Sequence, residues 1–258
     1  MPAPLLSTSD LTVRFGGHVA VDAVTCDFHP GELTAIVGPN GAGKTTYFNL
    51  ISGQIPASAG RVTLMGRDIS TQSVSARTKA GIGRAFQMTN LFPDLTVLEN
   101  VRLVVQAKAA RGFNLWSMVT GHTDLIDQAE SILAQVRLLD ERQQMVSELS
   151  HGNQRKLEVA LLIALDPLVY MFDEPTAGMS VDEAPVVLDL IADLKSQTDR
   201  TILLVEHKMD VIRTLADRII VLHNGALAAD GLPTEVMASD VVQEAYMGRG
   251  LEGILDHV

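Results

Sequence analysis

Gly38-Pro39-Asn40-Gly41-Ala42-Gly43-Lys44-Thr45-Thr46 is the stretch that decides the fold. It fits the pattern G-x-x-x-x-G-K-[ST] and follows the apolar run Leu33-Thr34-Ala35-Ile36-Val37. A helix is expected to start near Lys44 and stop at Gly53, so the order is strand, glycine-rich turn, helix. In that order successive backbone N–H groups converge on a phosphate, and the helix N-terminus adds partial positive charge. Asn40, Gly41, Ala42, Gly43 and Thr46 then line the phosphate cradle. Lys44 reaches the β- and γ-phosphates, and the Thr45 hydroxyl ligates Mg²⁺. A glycine turn that binds nothing would not require a strand before it and a helix after it. The stretch predicts a nucleoside-triphosphate site.

Upstream, Leu11 to Phe15 alternates, Gly16-Gly17 turns, and His18 to Phe28 alternates again before His29-Pro30-Gly31, which reads as an antiparallel meander. Downstream, Gly60 to Gly66 reads as a short strand. From Thr96 to about Glu148 the pattern turns helical, with Leu125, Ala129, Ile132, Leu133 and Val136 at helix spacing. Gly112 to Thr123, carrying Phe113, Leu115, Trp116 and Met118, has no clear period and reads equally as a partner-facing insertion or a loop packed on its own lobe. After Ser150 strand and helix alternate. Leu168 to Phe172 is a continuous apolar run of the buried parallel kind, and Ala184 to Lys195 is an amphipathic helix with Pro185 in its first turn. Thr201 to Val205 reads as a strand, Lys208 to Ala216 as a helix, and Arg218 onward as a hairpin turning at Asn224-Gly225. The pattern is an α/β core interrupted by a helical insertion.

Composition bounds the class. The 258 residues are 47% hydrophobic with a net charge of −11, and the one cysteine, Cys26, excludes an internal disulfide and suits a reducing cytosol. No uninterrupted apolar run reaches membrane-spanning length, since Val159 to Phe172 is broken by Asp166-Pro167, and MPAPLLSTSD lacks the features of a signal peptide. The acidic balance argues against a general nucleic-acid binder, which needs clustered Lys and Arg.

A phosphate loop needs a carboxylate that holds Mg²⁺ through water, commonly at the end of a neighbouring buried strand. The run ending at Phe172 is followed by Asp173 and Glu174. Asp173 suits the metal role, and Glu174 suits a general base acting on water. Leu149-Ser150-His151-Gly152-Asn153 stands upstream of Asp173-Glu174-Pro175-Thr176. Together these motifs resemble the signature and acidic motifs of ATP-binding cassette (ABC) ATPases. Gln87 resembles the family's Q-loop glutamine, His207 its switch histidine, and Phe15 the aromatic that stacks on adenine.

The resemblance covers nearly the whole chain. It implies an α/β P-loop NTPase with a RecA-like core, an antiparallel β subdomain and an inserted α-helical subdomain. Residues 1–87 and 158–258 would form the core, and residues 88–157 the helical subdomain with the signature. It implies ATP and Mg²⁺ as ligands, with Thr45, Gln87 and Asp173 at the metal and Glu174, His207 and Gln87 catalytic. Ser150, His151, Gly152 and Asn153 would address the ATP of a second cassette, identical or not. Three departures stand out: His151 where the family commonly has glycine, Asn153 where it has glutamine, and Ser180 where it has aspartate.

Arg14-Phe15-Gly16-Gly17, Leu91 to Asn100, Arg111 to Thr123, Leu157-Glu158-Val159-Ala160, Val205 to Met209 and Glu244 to Gly248 resemble the ATP-binding subunits of branched-chain amino-acid importers. Urea and short-chain amide importers share most of these features. The resemblance implies two transmembrane permease subunits, a periplasmic solute-binding protein, and a peripheral place on the cytoplasmic face of a bacterial inner membrane. Met88, Leu91, Phe92 and the Thr96–Val101 stretch would receive the permease. Soluble ABC ATPases of translation or DNA repair, exporter cassettes and non-catalytic nucleotide-sensing subunits are the alternatives. One cassette, no heptad run and the acidic balance count against the first, Tyr246-Met247-Gly248 and the Arg111–Thr123 loop against the second, and the presence of Glu174 and His207 against the third.

Overall fold

The computed structural model of the chain describes residues 3–85, 91–109, 123–180, 183–196 and 198–239. Phe86, Gln87 and Met88, the Arg111–Gly121 part of the insertion with Trp116, and Glu244 to Gly248 lie outside them. The chain divides into two compact units, one of residues 1–82, 168–174 and 195–258, the other of residues 83–167 and 175–194.

The first unit carries two sheets. In the antiparallel one, β1 (Leu6–Phe15) lies between β2 (His18–Phe28) and β4 (Ala59–Leu64), and β5 (Arg67–Asp68) pairs with β4. The other sheet runs β10 (Ala226–Gly231), β9 (Arg218–His223), β3 (Leu33–Val37), β8 (Thr201–Val205), β7 (Val169–Asp173), and then β6 (Ile82–Ala85), which opens on the last residue of this unit. Strands β9, β3, β8 and β7 are mutually parallel. The β9–β10 hairpin turns through Asn224 and Gly225, both left-handed (φ 49° and 80°), as an Asn-Gly type I′ turn demands.

Strand β3 is buried on both faces, and its side chains serve two cores by simple alternation. Ile36 joins Tyr47 and Phe48 of α1 (Lys44–Ser52), Leu6, Val13 and Phe28 of the antiparallel sheet, and Met171 and Leu203. Ala35 and Val37 face the other way, toward Ile212 of α7 (Met209–Leu215) and Val236 of α8 (Pro233–Met237). Tyr47, Phe48 and Phe28 are fully buried, each stabilising the unit by roughly 1.5–3 kcal/mol of apolar transfer before chain entropy is counted. Helix α2 (Val74–Ala80), capped by Ser73 and Gly81, buries a single residue, Arg77.

In the second unit α3 (Val97–Lys108), α4 (Thr123–Gln135) and α5 (His151–Leu165) pack on one another. Leu125, Ala129, Ile132, Leu133 and Val136, the periodic set, are all buried. Thr96 caps α3 through the Glu99 amide (3.2 Å). The buried Asn100 side chain holds the Phe92–Thr96 turn by accepting from the Phe92 amide and donating to the Phe92 and Thr96 carbonyls. Helix α6 (Ala184–Lys195) buries Val187, Leu190, Ile191 and Leu194 along one stripe. Among the described residues no helix is long and apolar enough to cross a membrane.

Candidate nucleotide site

Strand register brings the site together. Ile36 of β3 pairs with Val205 of β8, and Val205 pairs with Asp173 of β7, so three parallel strands end level. The glycine-rich loop follows the first, His207 the second and Glu174 the third. This is the carboxyl edge of a parallel sheet, where open α/β folds place ligands. With β8 between them, the ends of β3 and β7 stand about 10 Å apart, two strand spacings.

The loop that links β3 to α1 is held tightly from behind. A Cβ on Gly38 would lie 2.1 Å from the Leu222 carbonyl, and one on Gly43 would lie 2.5 Å from the Ala20 carbonyl. Gly43 is also left-handed (φ 99°) at the N-cap of α1. It has no side chain there, so the first amides of α1 are left without a side-chain cap. Uncapped amides at a helix start are the donors that an anion takes.

Lys44 is buried, with its Nζ donating to the Gly38 carbonyl (2.7 Å) and the Pro39 carbonyl (3.0 Å). Burial lowers its pKa from the ordinary lysine value, while the Glu174 and Asp173 carboxylates oppose that shift. The ammonium therefore belongs to one electrostatic unit with the two acids. Glu174 donates its amide to the Val205 carbonyl (2.9 Å), extending the β7–β8 ladder by one step, and then turns at φ 51°. A non-glycine residue there costs about 1 kcal/mol or more, and the turn aims the carboxylate away from the strand line. Glu174 Oε1 meets His207 Nε2 at 2.7 Å. An acid and an imidazole in contact beside an ammonium can take, hold and orient a proton. Phe15 closes β1 opposite His18 with 53% of its surface exposed, which leaves its ring free to stack.

The Leu149–Asn153 motif lies in the second unit. Ser150 is the N-cap of α5, its Oγ accepting from the Asn153 amide (3.1 Å). Its oxygen serves here as the helix cap, leaving the hydroxyl proton for another acceptor. Sequence reasoning missed what lies against Gly152: a Cβ there would sit 2.1 Å from Glu183 Oε1. The other oxygen of Glu183 accepts from the Ser180 hydroxyl (3.1 Å) and amide (3.4 Å), and Ser180 Oγ accepts from the Glu183 amide (3.3 Å). This is a capping box, and the S-x-x-E spacing of Ser180 and Glu183 is its sequence signal. It gives the unexpected Ser180 a structural task. Gln87 lies outside the described residues.

Residues 21–177 match the ABC transporter family model. The chain is 34% identical to the high-affinity branched-chain amino acid transport ATP-binding protein LivG of Escherichia coli K12 over 253 residues, covering 96% of this chain and 99% of LivG. It is 34% identical to BraF of Pseudomonas aeruginosa, which carries the same description, again over 96% and 99%. Among solved structures, the ADP conformation of MJ1267, an ATP-binding cassette of an ABC transporter, superposes with a TM-score of 0.81 at 28% identity, over 96% of this chain and all of that one. The family match spans more than half of the chain and the relatives span nearly all of it: this chain belongs to the ABC transporter family as an ATP-hydrolysing ATP-binding cassette.

Proposed function

We propose that this cassette powers the uptake of branched-chain or other hydrophobic amino acids through partner permease subunits. The observation that carries the solute is the full-length similarity to LivG and BraF, both named for branched-chain amino acid transport. The chemistry rests on Lys44, Asp173, Glu174 and His207 gathered at the level ends of β3, β7 and β8.

In this reading the triphosphate takes the uncapped amides of α1, and Lys44 Nζ leaves the Gly38 and Pro39 carbonyls for the β- and γ-phosphates. Asn40, Gly41, Ala42 and Thr46 complete the cradle, and Phe15 stacks on the base. Among the described residues no three His, Cys, Asp or Glu side chains are placed to hold a metal ion by themselves. A threonine hydroxyl and one carboxylate fit Mg²⁺, which keeps most of its waters and takes one or two protein oxygens plus phosphate. The Thr45 hydroxyl, the Asp173 carboxylate and Gln87 are the groups that would hold it, and when bound it neutralises phosphate charge. Glu174 accepts a proton from the attacking water, and His207, released from Glu174, donates to the γ-phosphate. Ser150 and Gly152 face the nucleotide of a second cassette, so ATP cements the pair and hydrolysis loosens it. That cycle would drive two permease subunits fed by a solute-binding protein.

The test is uptake. Cells dependent on this cassette are expected to accumulate labelled leucine, and to lose that uptake with Lys44→Ala. Urea uptake with no leucine uptake would overturn the solute assignment and favour the urea branch.

A further inference from the structure

We propose that Arg77 is a positioning residue for nucleotide binding, acting on the phosphate loop through the far end of α1. Arg77 is the buried residue of α2, only 3% exposed. Its guanidinium donates entirely to backbone carbonyls: Nη1 to Leu50 and Ile51 (both 2.7 Å), Nη2 to Ser70 (2.6 Å) and Nε to Gln72 (3.1 Å). Leu50 and Ile51 lie in the last turn of α1, where carbonyls lack partners within the helix, and the Leu50 carbonyl also accepts from the Gly53 amide (3.3 Å). A cation at a helix C-terminus is also favoured by the macrodipole. Burial lowers the pKa of Arg77 from its ordinary value, and Asp68 acts against that shift. No carboxylate is in ion-pair contact with it among the described residues.

The fit between the two pieces is close. Gly53, the left-handed C-cap of α1 (φ 81°), has no room for a side chain, because a Cβ there would lie 2.8 Å from Arg77 Nε. The same short helix holds a second element. Gly81, which caps α2, accepts at its carbonyl from the amides of Leu168 (2.8 Å) and Val169 (3.0 Å), where β7 begins. One seven-residue helix thus grips the rear of α1, whose front carries Lys44 and Thr45, and the rear of β7, whose front carries Asp173 and Glu174. A nine-residue helix is a stiff rod of about 13 Å. Its front end is placed by where its rear is clamped. A burial-only role for an arginine would be filled more cheaply by leucine or methionine, whereas a planar guanidinium whose Nη1 takes two successive carbonyls of α1, while Nη2 and Nε take those of Ser70 and Gln72, ties the end of α1 to the segment before α2.

The inference rests on the reading that the start of α1 holds the phosphates, and the experiment separates the two. Full-length parent, Arg77→Met, Arg77→Lys, Lys79→Met and Lys44→Ala chains are compared for ADP affinity, steady-state ATP hydrolysis and thermal unfolding. Arg77→Met keeps volume and removes the fork. It is expected to weaken ADP binding about tenfold and to raise KM for MgATP by a similar factor, with a smaller fall in kcat. Arg77→Lys keeps the charge and part of the bonding and is expected to recover about half of that loss on a logarithmic scale. Lys79→Met, a charge loss on the exposed side of the same helix, is expected to match the parent. Unchanged ADP affinity and KM in Arg77→Lys and Arg77→Met, with only a lowered Tm, would overturn the proposal. So would a loss of kcat at constant KM. If Arg77→Met does not fold, Arg77→Lys alone decides on the same readouts. Parent-like ADP affinity in Lys44→Ala would instead overturn the phosphate reading of α1 itself.

Discussion

Replacing Glu174 by glutamine isolates proton acceptance from every other task of that side chain. The backbone is untouched: the amide still donates to the Val205 carbonyl at 2.9 Å, and the φ of 51° is the same for either residue. The amide oxygen can still accept from His207 Nε2, so the 2.7 Å contact survives with the imidazole as donor. What disappears is the negative charge. Lys44 then loses one of the two carboxylates that oppose the effect of its burial, while Asp173 stays. Nucleotide binding is therefore expected to persist. Hydrolysis is expected to fall by about 10²–10⁴, the usual worth of a positioned general base, which is about 2.7–5.4 kcal/mol of barrier. The assay is phosphate release at saturating MgATP, run beside ADP affinity and thermal unfolding on the same preparation. Release within about threefold of the parent would refute the base assignment. Loss of nucleotide binding together with hydrolysis would refute it differently, by showing that Glu174 holds nucleotide and not water.

Thr8→Val removes the oxygen that bonds the Tyr47 hydroxyl (2.7 Å) and accepts from the Cys26 amide (3.1 Å) in the fully buried core. It is expected to cost about 1–3 kcal/mol and lower the Tm by several degrees in a calorimetric scan. Cys26 is buried, and burial raises its pKa from 9.0 to about 11. At pH 8 the folded chain is expected to resist alkylation that the denatured chain undergoes readily. Because the folded pKa is the raised one, this thiol's contribution to stability is full below pH 9.0 and declines as pH climbs toward 11, so alkaline titration of Tm should fall less steeply in Cys26→Ala. Gly152→Ala would favour a bare helix, yet its Cβ meets the Glu183 carboxylate at 2.1 Å. It is expected to destabilise by about 1–3 kcal/mol, with Glu183→Ala in the same chain restoring most of the loss in a double-mutant cycle by urea denaturation.

What the sequence made legible was whatever is coded locally. Apolar runs closed by glycine or flanked by turns located β3, α1, α6 and β8 to within a residue, because burial on both faces or along one stripe writes itself into neighbouring residues. Strand β1 was read from Leu11 although it starts at Leu6. The register slips between Thr8 and Leu11, and Asp10 is left-handed (φ 47°), so the alternation that marks a strand is broken in its first half. Helix α2 was invisible for a different reason. A period search looks for buried apolar side chains, and the buried side chain of Val74–Ala80 is an arginine held by carbonyls from other parts of the chain. The candidate site shows the same division. Lys44, Asp173 and Glu174 are named from strand ends and His207 from the family resemblance, but nothing local says that Glu174 touches His207 across 33 positions. That contact needs the pairing of Asp173 with Val205, which brings Glu174, one residue past its strand, near His207, two residues past its own. Chemistry-bearing residues are therefore read from their own neighbourhoods, while their mutual geometry, and the rear clamps that maintain it, exist only once the strands have found their register.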